Sequence, residues 1–430
     1  MNKLFFGGIH PKDRKSMSTR EVELKRIMPK QVVIPMLQHI GAPCTPLVKV
    51  GDTVKRGQKI GDSEGLCVPV HASVSGTVVA VEERPHPIRG SAMAVVIEND
   101  FQDTASPNPL PTTDDDILNA IREAGIVGMG GAAFPGNVKA LFAMGQIDTL
   151  IANGCECEPY ITADDTLLRV KTRQVLEGMM ILYNILKPKR AVLAVEDNKV
   201  QAIRHLQTFA EEFPEIELKV LPTRYPQGAE KQLVQSITGR EVPPGKLPVS
   251  VGCAVFNVST FAAIYRAVRL GFPLTERIVT VSGEGISHPQ NFLVRIGTSF
   301  RDVIEAAEGL DEKVERIING GPMMGVAQKD LDAPVVKATN SVLCLLKDEN
   351  GAADNPVCLR CGKCISVCPM RLQPLYMYRY VKTEDLKKLD KLNLMDCMEC
   401  GSCAYTCPGK LPLVEKFRIG KKMLKEAANK

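Results

Sequence analysis

Eight cysteines in the last quarter of this 430-residue chain carry its plainest chemistry. Cys358, Cys361, Cys364 and Cys368 are spaced C-x2-C-x2-C-x3-C, with Pro369 following. Cys397, Cys400, Cys403 and Cys407 repeat that spacing, with Pro408 following. Three thiolates a few residues apart can wrap three corners of a [4Fe-4S] cube, and the fourth corner takes a ligand from elsewhere. Where two such runs occur together, the fourth cysteine of each ligates the other cube. That rule gives Cys358, Cys361, Cys364 and Cys407 to one cube, and Cys368, Cys397, Cys400 and Cys403 to the other. Interleaved ligands keep the cubes close, as a single-electron relay requires. Zinc more often uses two C-x2-C pairs across a longer gap. Disulfides suit short secreted chains better than this one.

A second stretch offers backbone rather than side chains. Gly128-Met129-Gly130-Gly131-Ala132-Ala133-Phe134-Pro135 precedes an expected helix carrying Val138, Leu141 and Phe142 on one face. A glycine turn at a helix N-terminus is a phosphate site by geometry and dipole, although such turns are also ordinary loops. Lys139, one turn in, could reach a phosphate or simply be solvated. Further on, Asn153-Gly154-Cys155-Glu156-Cys157-Glu158 follows an apolar strand, where α/β folds place ligands. Cys155 and Cys157 form a C-x-C pair with no second pair to complete a metal site.

These residues need elements to hold them. Residues 1–105 read as short strands divided by turns, with Val32–Met36 and Val74–Val81 the clearest. Asp114-Asp115-Asp116 predicts a helix N-cap and acidic first turn, and Gly125 the helix end. Strands at 149–152, 191–195 and 217–221 alternate with helices at 166–186 and 199–213, which implies a parallel sheet. Further helices are expected to open at Tyr225 and at Val255. Residues 274–330 return to strand, strand, helix, strand, a β-grasp-like order. The fold class is therefore multidomain α/β. Its expected parts are a barrel-sandwich-like β module over 1–105, a parallel-sheet α/β domain over 112–270, a β-grasp domain over 271–335 and a helical two-cluster domain over 340–430. The first module resembles lipoyl carriers, but no lysine lies between Lys59 and Lys139 to serve as a swinging arm.

The composition narrows the function. The net charge is +5 with basic residues spread along the chain, and there is no Trp, so nucleic-acid binding is not indicated. No stretch approaches the ~20 apolar residues of a membrane span. The opening residues are interrupted too soon by Gly, His and Pro for a signal peptide, so a cytoplasmic setting is expected. The basic segment Lys416–Lys425 reads as a solvated helix or as a contact for an anionic membrane or acidic partner.

Taken in order, several stretches resemble the RnfC family, a component of Rnf-type ion-translocating ferredoxin:NAD oxidoreductases, and the related flavin-bearing NADH-oxidising subunit of respiratory complex I. They are Phe6-Gly7-Gly8-Ile9-His10-Pro11, the turn at 128–135, residues 153–160, Tyr225-Pro226-Gln227-Gly228-Ala229-Glu230-Lys231, Gly320–Gly325 and both cysteine runs. The resemblance implies flavin mononucleotide (FMN) and NAD(H) at the parallel sheet. It assigns cofactor contacts to Gly128, Gly130, Gly131, Lys139, Asn153, Glu156, Gly228, Glu230, Asn257 and Thr260. Met129, Ala133, Cys155, Ala229, Phe256 and Ser259 depart from the relative's pattern. Glu158 is expected to shape the nicotinamide pocket as the catalytic carboxylate. The resemblance also implies membrane and ferredoxin-like iron-sulfur partner subunits, and a peripheral place on the cytoplasmic face of the bacterial membrane. Two other readings share these modules: a cobalamin reductase of propanediol-utilising organelles, and a flavin-free iron-sulfur wire.

Overall fold

A computed structural model describes residues 5–19, 23–347 and 356–428. The remaining positions include Met1–Leu4 and 348–355, so the start of the signal-peptide reading and part of the expected 340–430 domain lie outside the described residues.

The N-terminal module is two small antiparallel sheets packed face to face. One runs in the order Gln31–Pro35, Gly90–Asn99, Gly76–His86, Thr53–Val54, and the other Thr45–Pro46, Lys59–Asp62, Val70–His71. Alternation buries Val32 and Ile34 from one strand against Ile60, Val78 and Ile97.

The central domain has a four-stranded parallel sheet ordered Ile216–Leu221, Arg190–Glu196, Thr149–Gly154, Cys253–Asn257. Its strands are short apolar runs covered by helices, as parallel sheets require. Helix α1 spans Asp114–Glu123, α2 Gly136–Ala143, α3 Ala163–Val170, α4 Thr172–Leu186, α5 Val200–Thr208, α6 Glu230–Thr238 and α7 Val258–Leu270.

Several expectations need correcting. Thr113, not Asp114, is the N-cap of α1, in a capping box with Asp116. The single helix expected over 166–186 is two, broken at Lys171, whose φ of −137° and ψ of 32° are not helical. α5 stops at Thr208, and α6 starts only at Glu230. The segment opening at Val255 begins as the fourth strand. Asn257 then caps α7, its side chain accepting from Ser259 N at 2.9 Å. An Asn directly after an apolar run serves strand end and helix cap together, which periodicity alone does not separate. On α2 the expected apolar face is turned outward. Leu141 and Phe142 are each 60% exposed, while Gly136, Ala140 and Ala143 are buried.

Residues 276–346 build a six-stranded mixed sheet that recruits neighbours on both sides. Lys25–Ile27 joins one edge, parallel to Gln290–Arg295, and Ser341–Leu346 pairs in its middle, past residue 335. The C-terminal part is helical. The helix Leu413–Ala428 lies across Pro374–Lys382, burying Leu413 and Phe417 with Met377, Leu389 and Leu394. The apolar side of the basic segment is thus used within the domain, and Lys421 donates to Cys397 O at 2.5 Å. Among the described residues no helix is long and apolar enough to cross a membrane.

Candidate redox site

The eight cysteines fall into two hollows. Cys358, Cys361, Cys364 and Cys407 line one, with Leu375, Leu411 and Leu413. Cys368, Cys397, Cys400 and Cys403 line the other, with Met370, Leu372 and Phe417. Each hollow has about 370 Å³ of open space. Local symmetry builds them. Gly362 and Gly401 each take a left-handed φ (76° and 78°) before a single-turn helix, Lys363–Ser366 or Ser402–Tyr405, which carries the third cysteine of the run. The hollows differ in depth. Cys361 is exposed at the outer one, whereas Cys368, Cys400 and Cys403 of the inner one are buried.

None of these thiols is in a disulfide. Burial and the neighbouring sulfurs push the Cys403 thiol well up, and burial holds Cys397 at about 11. Four crowded sulfurs in an apolar hollow ionise together only when a multiply charged cationic group shares their charge. The donor set thus fits an iron-sulfur cube in each hollow.

The second site gathers at the C-terminal ends of the parallel strands. The glycine turn closes on itself, with Gly128 N donating to Phe134 O at 2.8 Å. It is fixed to α7 where Met129 N donates to the Thr260 hydroxyl at 3.0 Å. Gly131 has φ +123° and nothing within 4 Å of an added Cβ, so backbone conformation, not space, requires glycine there. An added Cβ on Gly130 would lie 3.4 Å from Asn257. Asn153 Nδ2 donates to Gly228 O at 2.8 Å. Lys139 pairs with Glu230 at 2.5 Å and lies over the Phe256 ring. Glycine turn, α2, α6 and α7 therefore converge, and Gly128, Gly130, Gly131, Lys139, Asn153, Gly228, Glu230, Asn257 and Thr260 come together.

The two glutamates of 153–160 are placed differently. The Glu156 carboxylate accepts from Asp164 N at 2.7 Å and Asp165 N at 3.3 Å, capping α3. Burial raises it to about 7. Glu158 accepts from Met323 N at 3.0 Å and packs against Gly321, in the turn 320–325. Burial raises its carboxyl to about 7 as well, and its Oε1 has no hydrogen-bond partner among the described residues. Among the described residues no hydrogen bond joins the Glu158 carboxylate to the glycine turn.

The two sites are stitched together. Tyr225 OH donates to Cys400 O at 2.7 Å. The opening segment threads between them: Gly8 N donates to Val367 O and Ile9 N to Tyr225 O, both at 2.8 Å. An added Cβ on Gly7 would fall 2.7 Å from Cys368 O, which accounts for the glycine. Behind the 156–161 loop, Lys15 Nζ donates to Glu156 O and Glu158 O at 2.9 Å and to Ile161 O at 2.5 Å.

Family profiles match along the chain: an RnfC barrel sandwich hybrid domain over 3–102, a Nuo51 FMN-binding domain over 121–266, an SLBB domain over 278–327 and a 4Fe-4S dicluster domain over 352–408. A component of the Na(+)-translocating ferredoxin:NAD(+) oxidoreductase complex of Acetobacterium woodii is 46% identical, covering 97% of this chain and 96% of its own. The chain belongs to the RnfC family. The counterpart from the proton-translocating complex of Clostridium ljungdahlii is 44% identical over 92% of this chain and 88% of its own. The counterpart from the ion-translocating oxidoreductase complex of Vibrio cholerae is 39% identical over 91% of this chain, but this chain spans only 52% of it. An NAD+-reducing [NiFe]-hydrogenase structure shares the fold at TM-score 0.51 and 20% identity, covering 74% of this chain and 64% of that one.

Within this RnfC frame, sequence reasoning missed the residues that hold the loops. Lys15 is remote in sequence and carried no motif. Asp164 accepts from Asn257 Nδ2 at 2.7 Å and Ser259 Oγ at 2.6 Å, tying α3 to α7. Buried Arg277 donates to Lys337 O at 2.5 Å and to Met129 O at 3.4 Å, gripping the glycine turn from behind. Arg277 stands beside the apolar run Ile278–Val281, and neither its burial nor its target follows from spacing.

Proposed function

We propose that this chain is the peripheral subunit of a membrane-bound electron transport complex that exchanges electrons between NAD(H) and two [4Fe-4S] clusters through FMN. In that reading ferredoxin:NAD+ oxidoreduction is coupled to Na+ or H+ movement by partner subunits, at the cytoplasmic face of the membrane. When bound, FMN would supply the conversion of a two-electron hydride exchange into single-electron steps, and clusters held by the cysteines would accept those electrons. The protein's part is placement. The glycine turn and the N-terminus of α2 present backbone N–H groups to a phosphate. Lys139, freed from Glu230, supplies a cation beside it, while Asn153 and Asn257 line the strand ends. The four cysteines of each hollow are the proposed cluster ligands.

The observation that carries this reading is the junction of Tyr225 with Cys400. It sets the inner hollow directly against the segment that leads to Gly228 and Glu230. The outer hollow carries the exposed Cys361 and Leu359 and suits exchange with an iron-sulfur partner subunit. The barrel-sandwich match over 3–102 favours this assignment over a cobalamin reductase.

The test is anaerobic purification with iron, sulfide and flavin quantification, followed by stopped-flow mixing with NADH. Flavin and then cluster bleaching is expected. A cluster-loaded protein given FMN that stays unbleached by NADH overturns the flavin route.

A further inference from the structure

A third group of thiols lies outside both cysteine runs. His39, Cys44 and Cys67 are 5%, 4% and 3% exposed, inside the N-terminal module. Cys44 Sγ is 3.4 Å from Cys67 Sγ, and Cys67 Sγ is 3.5 Å from His39 Nε2. All three donor atoms lie within 4.8 Å of one another. We propose that His39, Cys44 and Cys67 form a binding site for a thiolate-seeking d10 cation, Zn2+ or Cu+, that braces the glycine turn from behind.

Two of the donor separations lie within about 0.4 Å of those between ligands. Bonds of about 2.3 Å to sulfur and about 2.0 Å to nitrogen, set tetrahedrally, put two sulfurs about 3.8 Å apart and sulfur and nitrogen about 3.5 Å apart. Soft thiolates with one imidazole select Zn2+ or Cu+ among common cations. The histidine is already oriented for this. Its Nδ1 faces Ile40 O at 3.3 Å, which directs the Nε2 lone pair toward the sulfurs. At present that lone pair accepts a long bond from Val68 N at 3.3 Å, which a cation would replace. Val68 O, 3.4 Å from Cys44 Sγ and 3.8 Å from Cys67 Sγ, is the remaining nearby donor.

A buried cation lies beside the site. Lys337 is buried, its ammonium donating to Pro69 O at 2.8 Å and Gly125 O at 2.7 Å, and no carboxylate pairs with it among the described residues. Two thiolates with one ammonium leave a single negative charge, which Cu+ cancels and Zn2+ reverses with three carbonyls at hand. The site is also joined to the second redox region. The residue after His39 donates from Ile40 N to Ala133 O in the glycine turn at 3.1 Å. Lys337 also holds Gly125 O, three residues before that turn.

The experiment uses the full chain, purified anaerobically with its clusters and then equilibrated separately with Zn2+ and with Cu+. Elemental analysis gives stoichiometry, and X-ray absorption at the zinc or copper edge gives the donors. The expected result is about one cation per chain with two sulfurs and one nitrogen in its shell, falling below about a tenth in Cys67→Ser and in His39→Gln while iron content holds. Which metal is bound separates the two cations. Binding of neither, a shell of four sulfurs (the cysteine hollows loaded with the wrong metal), full retention in Cys67→Ser, or a Cys44–Cys67 disulfide in the mass spectrum overturns the proposal. If the variants do not fold, the shell measured on the unaltered chain decides alone.

Discussion

The cysteine hollows and the glycine-turn site are built by opposite means. Each hollow takes three of its four donors from one short stretch, so covalent spacing does most of the positioning. The other site draws backbone from 128–131, an amide from 153, a turn at 228 and a helix cap at 257, all brought together by packing. Side-chain identity decides the first, and tertiary support decides the second. Single-atom changes should therefore destroy a hollow outright, whereas the glycine-turn site should fail by degrees through residues that touch no cofactor.

The largest effect tests the hollows and their crossed ligands. Cys361→Ala and Cys407→Ala should each remove about four of about eight irons and leave the same residual electron paramagnetic resonance spectrum. Cys403→Ala and Cys368→Ala should share the complementary spectrum, and flavin content should hold in all four. A Cys407→Ala spectrum matching Cys403→Ala instead would show that the ligand sets are wrong.

Next in size is a change far from either cofactor. Lys15→Met leaves three carbonyls, of Glu156, Glu158 and Ile161, without their buried donor. A loss of roughly 2–4 kcal/mol is expected, read as a lower melting temperature with early flavin release and late cluster loss. Simultaneous loss of both cofactors would mean that the two regions do not fail separately.

This contrast also explains what could be read from the sequence. The cluster ligands were legible because their spacing is itself the geometry. The parallel sheet was legible from buried strands alternating with helices, but the strand Cys253–Asn257 was not, because it runs into α7 without a break. Leu141 and Phe142 were misplaced because α2 is short and turns its small residues, Ala140 and Ala143, to the core. Lys15, Asp164 and Arg277 were invisible as site residues, since each acts across a distance that only the fold closes. His39, Cys44 and Cys67 likewise share no spacing rule.

Glu158 sharpens the comparison at the seam between the regions. Burial lifts its carboxyl from 4.5 to about 7, so the folded chain holds that proton more tightly than the unfolded one. The associated stability is present below about pH 4.5 and is lost as pH rises to about 7, a full difference on the order of 3 kcal/mol. Between pH 5 and 7 the melting temperature of the intact protein should therefore fall through this carboxyl, and that of Glu158→Gln should fall less. Equal slopes would mean that the carboxylate keeps an ordinary affinity for its proton.

The smallest effect isolates backbone from side chain. At Gly131 an added methyl meets no atom, so Gly131→Ala changes only the cost of holding φ at +123°. That cost is about 1–2 kcal/mol, and it can be relieved by reshaping the turn. Flavin affinity should drop roughly tenfold, since about 1.4 kcal/mol is a factor of ten in binding, with iron content unchanged. Met129→Ala, at a residue whose backbone N–H carries the bond to Thr260, should keep most of the affinity because that N–H remains. The reverse ranking, with Met129→Ala the more damaging, would move recognition from the backbone of the turn to its side chains. The two regions would then be built alike.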